Sequence, residues 1–203
     1  GKESPGGATV KRGKFVLFAK SSGEDGESVD KNIGGGQAVQ HHMYSAMLAL
    51  QRLDFDRADR CVGDARRVVA PLLSNMLDEH YNRAYSYMVT VQQLAELEEI
   101  VRFRRKEEEL KRLHQPTLAH TYIDDEKRRL KGKWRKRLHR WVDDDIDVWR
   151  KLLQVRALVL PPEEDEGTWL RLAGLCRRSG RLDLCRNTLK RLGVSDATAE
   201  TAA

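Results

Sequence analysis

The spacing of one short stretch constrains this chain more than any other feature. Trp169, Leu172, Ala173 and Cys176 lead to Gly180 at a turn, and Leu182, Cys185 and Leu189 follow. This is the spacing of a tetratricopeptide-type helix pair, W-x2-L-G-x2-Y followed by A-x3-F, with Ala for Gly, Cys for Tyr and Cys for Ala. Helices approach closely only where small residues sit at the crossing and large ones fill the gaps beside them. Asp54-Phe55-Asp56-Arg57-Ala58, with Val62 and Ala65, repeats the turn and second helix of such a unit. The two units are not a whole number of 34-residue periods apart, so the array is irregular. An ordinary helical bundle obeys the same packing rules, but the shared turn grammar favours a tetratricopeptide-like helix-pair solenoid. Either arrangement is all-α.

Apolar residues elsewhere recur at helical steps. Val39, Met43, Met47 and Leu50 form one stripe. Leu53-Asp54-Phe55-Asp56 reads as a tight turn with Asp56 as N-cap. Ala58, Cys61, Val62, Ala65, Val68, Val69 and Leu72 form the next stripe, which Pro71 is expected to end or kink near Ala70. Tyr81, Ala84, Tyr85, Met88 and Val91 make a third, and Leu94, Leu97, Ile100 and Val101 a fourth. Residues 114–121 hold a proline and no periodicity and read as a loop or insert, within a broader irregular stretch near 105–130. Leu130, Trp134, Leu138 and Trp141 share one face, and Trp149, Leu152, Leu153, Val155 and Leu158 follow until Pro161-Pro162 stops the helix. Residues 1–36, Gly/Ser-rich around Phe15-Val16-Leu17-Phe18, read as a flexible segment or insert. The helical repeat domain then covers 37–194, with a frayed tail over 195–203. Alternation with β-branched residues and hairpin turns is missing, so strand content should be near nil.

Net charge is +6 over 203 residues, but the excess is local. Residues 101–140 hold 15 Lys/Arg against 6 Asp/Glu, whereas the remainder is slightly acidic. That points to a local basic surface rather than a dedicated nucleic-acid binder. No apolar run approaches the roughly 20 residues that cross a bilayer. Nor does the N-terminus carry a signal-peptide core. It begins with Gly rather than Met and reads as a piece of something longer. Three cysteines, Cys61, Cys176 and Cys185, make no disulfide framework and fit a reducing compartment.

Nothing in the sequence assembles a reaction centre of its own. Gly34-Gly35-Gly36 is not followed by GK[ST], so it is no phosphate loop. Asp143, Asp144 and Asp145 are adjacent, and helical positions diverge by about 100° per residue, so a solvated acidic turn is favoured over a metal cluster. The cysteines lack C-x2-C spacing, and His41-His42 and His80 lack further ligands. Residues 127–140 carry nine Lys/Arg and no acid, alongside Trp134 and Trp141. Phosphate contact, calmodulin or membrane-surface binding and nuclear import are conceivable uses. The simpler expectation is a tryptophan face packed on neighbouring helices, with the basic face solvated or paired to the aspartates behind it.

Three strings together resemble the FAT region of target-of-rapamycin (TOR) kinases, within the phosphatidylinositol-3-kinase-related kinase family. They are MYSAMLALQRLDFDRADRCVGDAR, HYNRAYSYMVTVQQLAELEEIV and WRKLLQVRALVLPPEEDEGTWLRLAGLCRRSGRLDLCRNTLKRLGV. The resemblance covers about 38–194 and fades near 105–130; Cys185 stands where the family pattern has Ala. It implies a FAT-type α-solenoid curling around, and regulating, the kinase domain of the same chain. This piece would be non-catalytic, while ATP and Mg would be bound by the kinase domain of the parent serine/threonine kinase. Implied partners are that kinase domain, neighbouring FAT helices and TOR-complex subunits. The implied location is the cytoplasm, with endomembrane surfaces or the nucleus reached as part of a complex. Some family members bind inositol hexakisphosphate in a basic pocket, and Arg83 in YNRAY is the matched arginine. Phe55, Ala58, Tyr85, Trp149, Trp169, Leu172, Ala173, Cys176, Gly180, Leu182, Cys185 and Leu189 are the expected repeat anchors. A free-standing tetratricopeptide adaptor and, less favoured, a basic nucleic-acid-binding helical domain are the rivals.

Overall fold

A computed structural model describes residues 33–79, 81–113, 116–141 and 145–193 of the chain. These form seven helices: α1 (Ile33–Gln51), α2 (Phe55–Glu79), α3 (Tyr81–Arg112), α4 (Pro116–Trp141), α5 (Ile146–Arg156), α6 (Glu166–Arg178) and α7 (Leu182–Arg191). A 3-10 turn, Pro162–Asp165, joins α5 to α6. Among the described residues there is no strand. The fold is therefore all-α, and helices pack chiefly on their neighbours in sequence, with α3 also meeting α5. The Phe15–Phe18 run and the tail lie outside the described residues.

Several boundaries differ from the sequence expectation, each for a local reason. α1 starts at Ile33, so Gly34-Gly35-Gly36 belongs to a helix rather than to a flexible segment. Glycines weaken a helix interior by up to about 1 kcal/mol each. Here close packing offsets that cost, because a Cβ on Gly35 would meet Leu72 Cδ1 at 2.9 Å. The cap of α2 is Asp54, not Asp56: Arg57 N–H donates to Asp54 Oδ1 at 3.0 Å. α2 runs through Pro71, which is exposed, so the carbonyl that loses its amide partner can turn to water. The third and fourth stripes are one continuous helix, α3. Where a loop or insert is expected near 105–130, α3 runs on to Arg112 and α4 begins at Pro116, a residue suited to a first helical turn, so the loop expected at 114–121 is short. α5 ends at Arg156, before the prolines, and the following turn delivers Val159 and Leu160 into the core.

Two apolar clusters hold these helices. One gathers α1, α2 and the middle of α3, with Leu130 and Trp134 of α4 and Val155, Val159 and Leu160. The other gathers Val89, Leu138, most of α5 and the inner face of α6. α3, α4 and α5 contribute to both, so they form the shared wall between the two.

Candidate functional site

That shared wall carries a polar network. Glu96 on α3 has no exposed surface and Arg156 on α5 is 2% exposed. They meet as a bidentate pair: Arg156 Nε donates to Glu96 Oε2 and Nη2 to Oε1, both at 2.7 Å. Gln92 Nε2 also donates to Glu96 Oε1 at 2.9 Å. One helical turn on, Glu99 accepts from Lys133 Nζ (2.5 Å), Trp134 Nε1 (2.7 Å) and both Arg137 Nη atoms (2.9 and 3.1 Å). Burial alone would raise the Glu99 carboxyl; the donors from Lys133, Arg137 and Trp134 outweigh it and hold it below the usual range. Gln93 Nε2 reaches the Lys151 carbonyl at 3.2 Å. The network thus ties α3 to α4 and α5 with every charge matched, the condition under which buried charges are tolerated.

A second pattern runs beside it. Arg156 lies over Trp134, Arg171 over Trp149 and Arg191 over Trp169, at 5.7, 5.5 and 6.0 Å from the ring centres. In each case the arginine follows the tryptophan by 22 positions and sits on the next helix. Each cation–π contact contributes about 0.5–2 kcal/mol. The same contact thus recurs at three successive helix-to-helix steps, from α4 to α7.

The basic stretch on α4 resolves into these pairings. Leu130, Trp134 and Leu138 of the expected packed face are buried, and the side chain of Trp141 lies outside the described residues. Among the described residues its basic face meets Glu99 on α3, Glu164 and Asp165 of the 3-10 turn, which take Lys127 and Lys131, and Asp125 and Glu126 of α4 itself, which take Arg128 and Arg129. Asp143 and Asp144 lie outside the described residues. Asp145 instead caps α5, accepting from Asp147 N and Val148 N at 2.9 and 3.2 Å. Asp147 takes Arg181 of the α6–α7 turn at 3.1 Å.

The expected repeat positions separate into two groups. Ala58, Trp149, Trp169, Leu172, Ala173 and Cys176 are buried, and Phe55, Tyr85, Cys185 and Leu189 are half-buried. Gly180 turns the chain at φ +75°. Leu182 is 59% exposed, contrary to its expected packing role, because no described helix stands over that face of α7. Arg83 opens α3, but its side chain is outside the described residues. The His41 and His42 rings meet edge to face, 5.7 Å apart. Burial, and then the nearby Cys185, pushes the Cys176 thiol up, which suits a packing group rather than a nucleophile. Among the described residues no group of His, Cys, Asp and Glu is placed to hold a metal. No described helix is long and apolar enough to cross a membrane.

Glu96, Glu99, Arg137 and Arg156 were not singled out by sequence. Two signals point to Arg156, an arginine inside the apolar run from Leu152 to Leu160 and the thrice-repeated Trp-to-Arg interval, and neither reaches Glu96, Glu99 or Arg137.

Comparison with known proteins agrees with this architecture. The FAT domain family model matches residues 23–202. The serine/threonine-protein kinase TOR of Arabidopsis thaliana is 38% identical over 149 residues, 73% of this chain. The serine/threonine-protein kinase mTor of Drosophila melanogaster is 39% identical over 156 residues, 75% of this chain. The serine/threonine-protein kinase TOR2 of Saccharomyces cerevisiae is 33% identical over 156 residues, 77% of this chain. The matched region spans 6% of the length of each of these relatives.

Proposed function

Because the chain belongs to the FAT domain family, with TOR kinases as its relatives, we propose that it is a helical scaffold segment of a TOR-type serine/threonine kinase. In this reading it is non-catalytic. It clamps the kinase domain of the same polypeptide and biases its conformation in nutrient and growth signalling, while ATP and magnesium are handled by that domain. Contacts that differ between two kinase conformations shift their populations, which is all a scaffold needs in order to regulate.

The open face of α7 carries this reading. Leu182 is exposed and Leu189 half-buried, although both fall on repeat packing positions, whereas Cys185 packs inward against the second cluster. On α2 the matching positions are Phe55, Ala58 and Val62; α3 covers that helix, and the last two are buried. A face built for burial and left open suits a segment whose neighbours are further helices of a longer polypeptide. The test is the double substitution Leu182→Glu with Leu189→Glu in the full-length kinase. The expected result is a loss of about tenfold in kinase activity, with faster amide exchange in α7, since charges buried in an apolar contact are strongly destabilising. Unchanged activity and exchange would refute the clamp.

A further inference from the structure

We propose that the edge formed by the α1–α2 turn is a docking surface for a protein segment that combines apolar and acidic side chains. Three independent observations meet there.

The first is a backbone outlier. Leu53 has φ +61°, while the corresponding turn after α6 uses Gly180 at φ +75°. The two turns close identically: Leu53 N–H reaches the Leu50 carbonyl and Asp54 N–H that of Ala49, as Gly180 N–H reaches Arg177 and Arg181 N–H reaches Cys176. Left-handed backbone costs a side-chain-bearing residue about 1–2 kcal/mol, and glycine far less. Leu53 nevertheless keeps a large apolar side chain and leaves it 44% exposed. Packing among the described residues does not explain it, which points to another use for the side chain.

The second is charge. Arg52, Arg57 and Arg60 surround the same turn, all exposed, and none has an ion pair among the described residues. The nearby Asp56 and Asp59 are engaged by Arg105, and Asp54 is engaged as the cap. The third is shape. A groove of about 300 Å³ lies between the end of α1 and the start of α2, lined by Ser45, Leu48, Ala49, Arg52, Asp54 and Arg57, and the Asp54 carboxylate is already held as the α2 cap.

Exposed Leu48 and Leu53 beside arginines without an ion pair among the described residues select a segment with apolar side chains for the leucines and carboxylates for the arginines. A second copy of this chain would bring the same arginines against themselves, so an isologous contact is disfavoured.

The test uses the full 203-residue chain and a fluorescein-labelled 12-residue peptide made of Leu, Phe, Glu and Asp. The control peptide has Lys and Arg in place of the acids. Fluorescence anisotropy should show the acidic peptide binding about tenfold tighter than the basic one, with affinity falling as salt rises. Arg52→Glu with Arg57→Glu should invert that preference. Leu53→Gly should weaken binding about fivefold while leaving the melting temperature equal or higher, a combination that a purely structural Leu53 cannot give. Equal binding of the two peptides, or undiminished binding to the Leu53→Gly chain, would overturn the proposal. So would sedimentation showing a dimer that the double charge reversal dissolves, which would assign the surface to a second copy.

Discussion

The α1–α2 and α6–α7 pairs are one motif built twice with different surroundings. Both turns close with the same hydrogen bonds and a left-handed residue. Both place small side chains at the crossing: Ala46, Ala49 and Ala58 in the first, Ala173, Cys176 and Cys185 in the second. Yet Val62 is buried whereas its counterpart Leu189 is half-exposed, because α2 packs on both α1 and α3 while α6 is the one described helix packed closely on α7. Burial in a helical stack is therefore a property of what stands next to a residue as much as of the residue itself. The first pair is held from two sides. The second depends on its own tryptophan, Trp169, with Arg191 across its ring.

That contrast is most sharply tested at Trp169. Trp169→Ala should destabilise the chain by about 3–5 kcal/mol, read as the loss in a urea melt. The residue at the same place in the first pair is His42, only half-buried, and His42→Ala should cost well under about 1 kcal/mol. Similar losses at the two sites would mean that both pairs rely on the same kind of anchor.

The next effect concerns what joins the pairs. Glu96 and Arg156 sit in the wall shared by the two apolar clusters. Glu96→Met should cost about 3 kcal/mol because it strands the buried Arg156 guanidinium. Adding Arg156→Met should recover most of that loss, since two well-packed apolar groups can replace a buried ion pair. A double variant as unstable as the single one would show that the pair supplies more than mutual compensation.

The helix pairs were largely legible in the sequence because their information is local. Periodic apolar stripes and the spacing from Trp169 to Leu189 depend on contacts a few residues apart or across one turn. Caps and ends were less legible. Asp54 and Asp56 are chemically the same, and only the exit angle of α1 decides which of them faces the free amides of α2. Pro71 sits on an exposed helix face, a tertiary fact that a single sequence conceals. The Glu96–Arg156 pair was the least legible, because its partners are 60 positions apart and Glu96, among the other acids of LAELEE, looks like an ordinary surface charge. In the stretch from 127 to 140 the packing of Trp134 follows from local periodicity, and so do the i,i+3 pairs of Arg128 and Arg129 with Asp125 and Glu126, but Glu99, Glu164 and Asp165 come from α3 and the 3-10 turn, which no local pattern specifies.

The two turns offer a smaller and more direct exchange. Gly180→Ala should destabilise the second pair by about 1–2 kcal/mol, because alanine resists φ near +75°. Leu53→Gly in the first pair should leave stability unchanged or raise it by about half that amount. If both substitutions were destabilising, the Leu53 side chain would be part of the folded core rather than of an outer surface.

The smallest effect is a pH dependence located in the joint and not in either pair. Glu99 has a folded-state pKa below its ordinary value, where donors from Lys133, Arg137 and Trp134 outweigh the opposing effect of burial. A lowered carboxylate contributes stability that is fully present above its unfolded pKa and is lost as pH falls through the folded one. The wild-type chain should therefore lose stability on acidification below about pH 4.5 more steeply than Glu99→Gln. At neutral pH the variant should be the less stable by about 1 kcal/mol, the scale of a charge-assisted hydrogen bond, and the gap should close in acid. Because Glu99 bridges α3 to α4 rather than closing a helix pair, the loss should appear equally in probes of both clusters. A gap that stayed constant down to pH 3 would mean that Glu99 titrates alike in the folded and unfolded chains, and the three donors would then be holding geometry without holding charge.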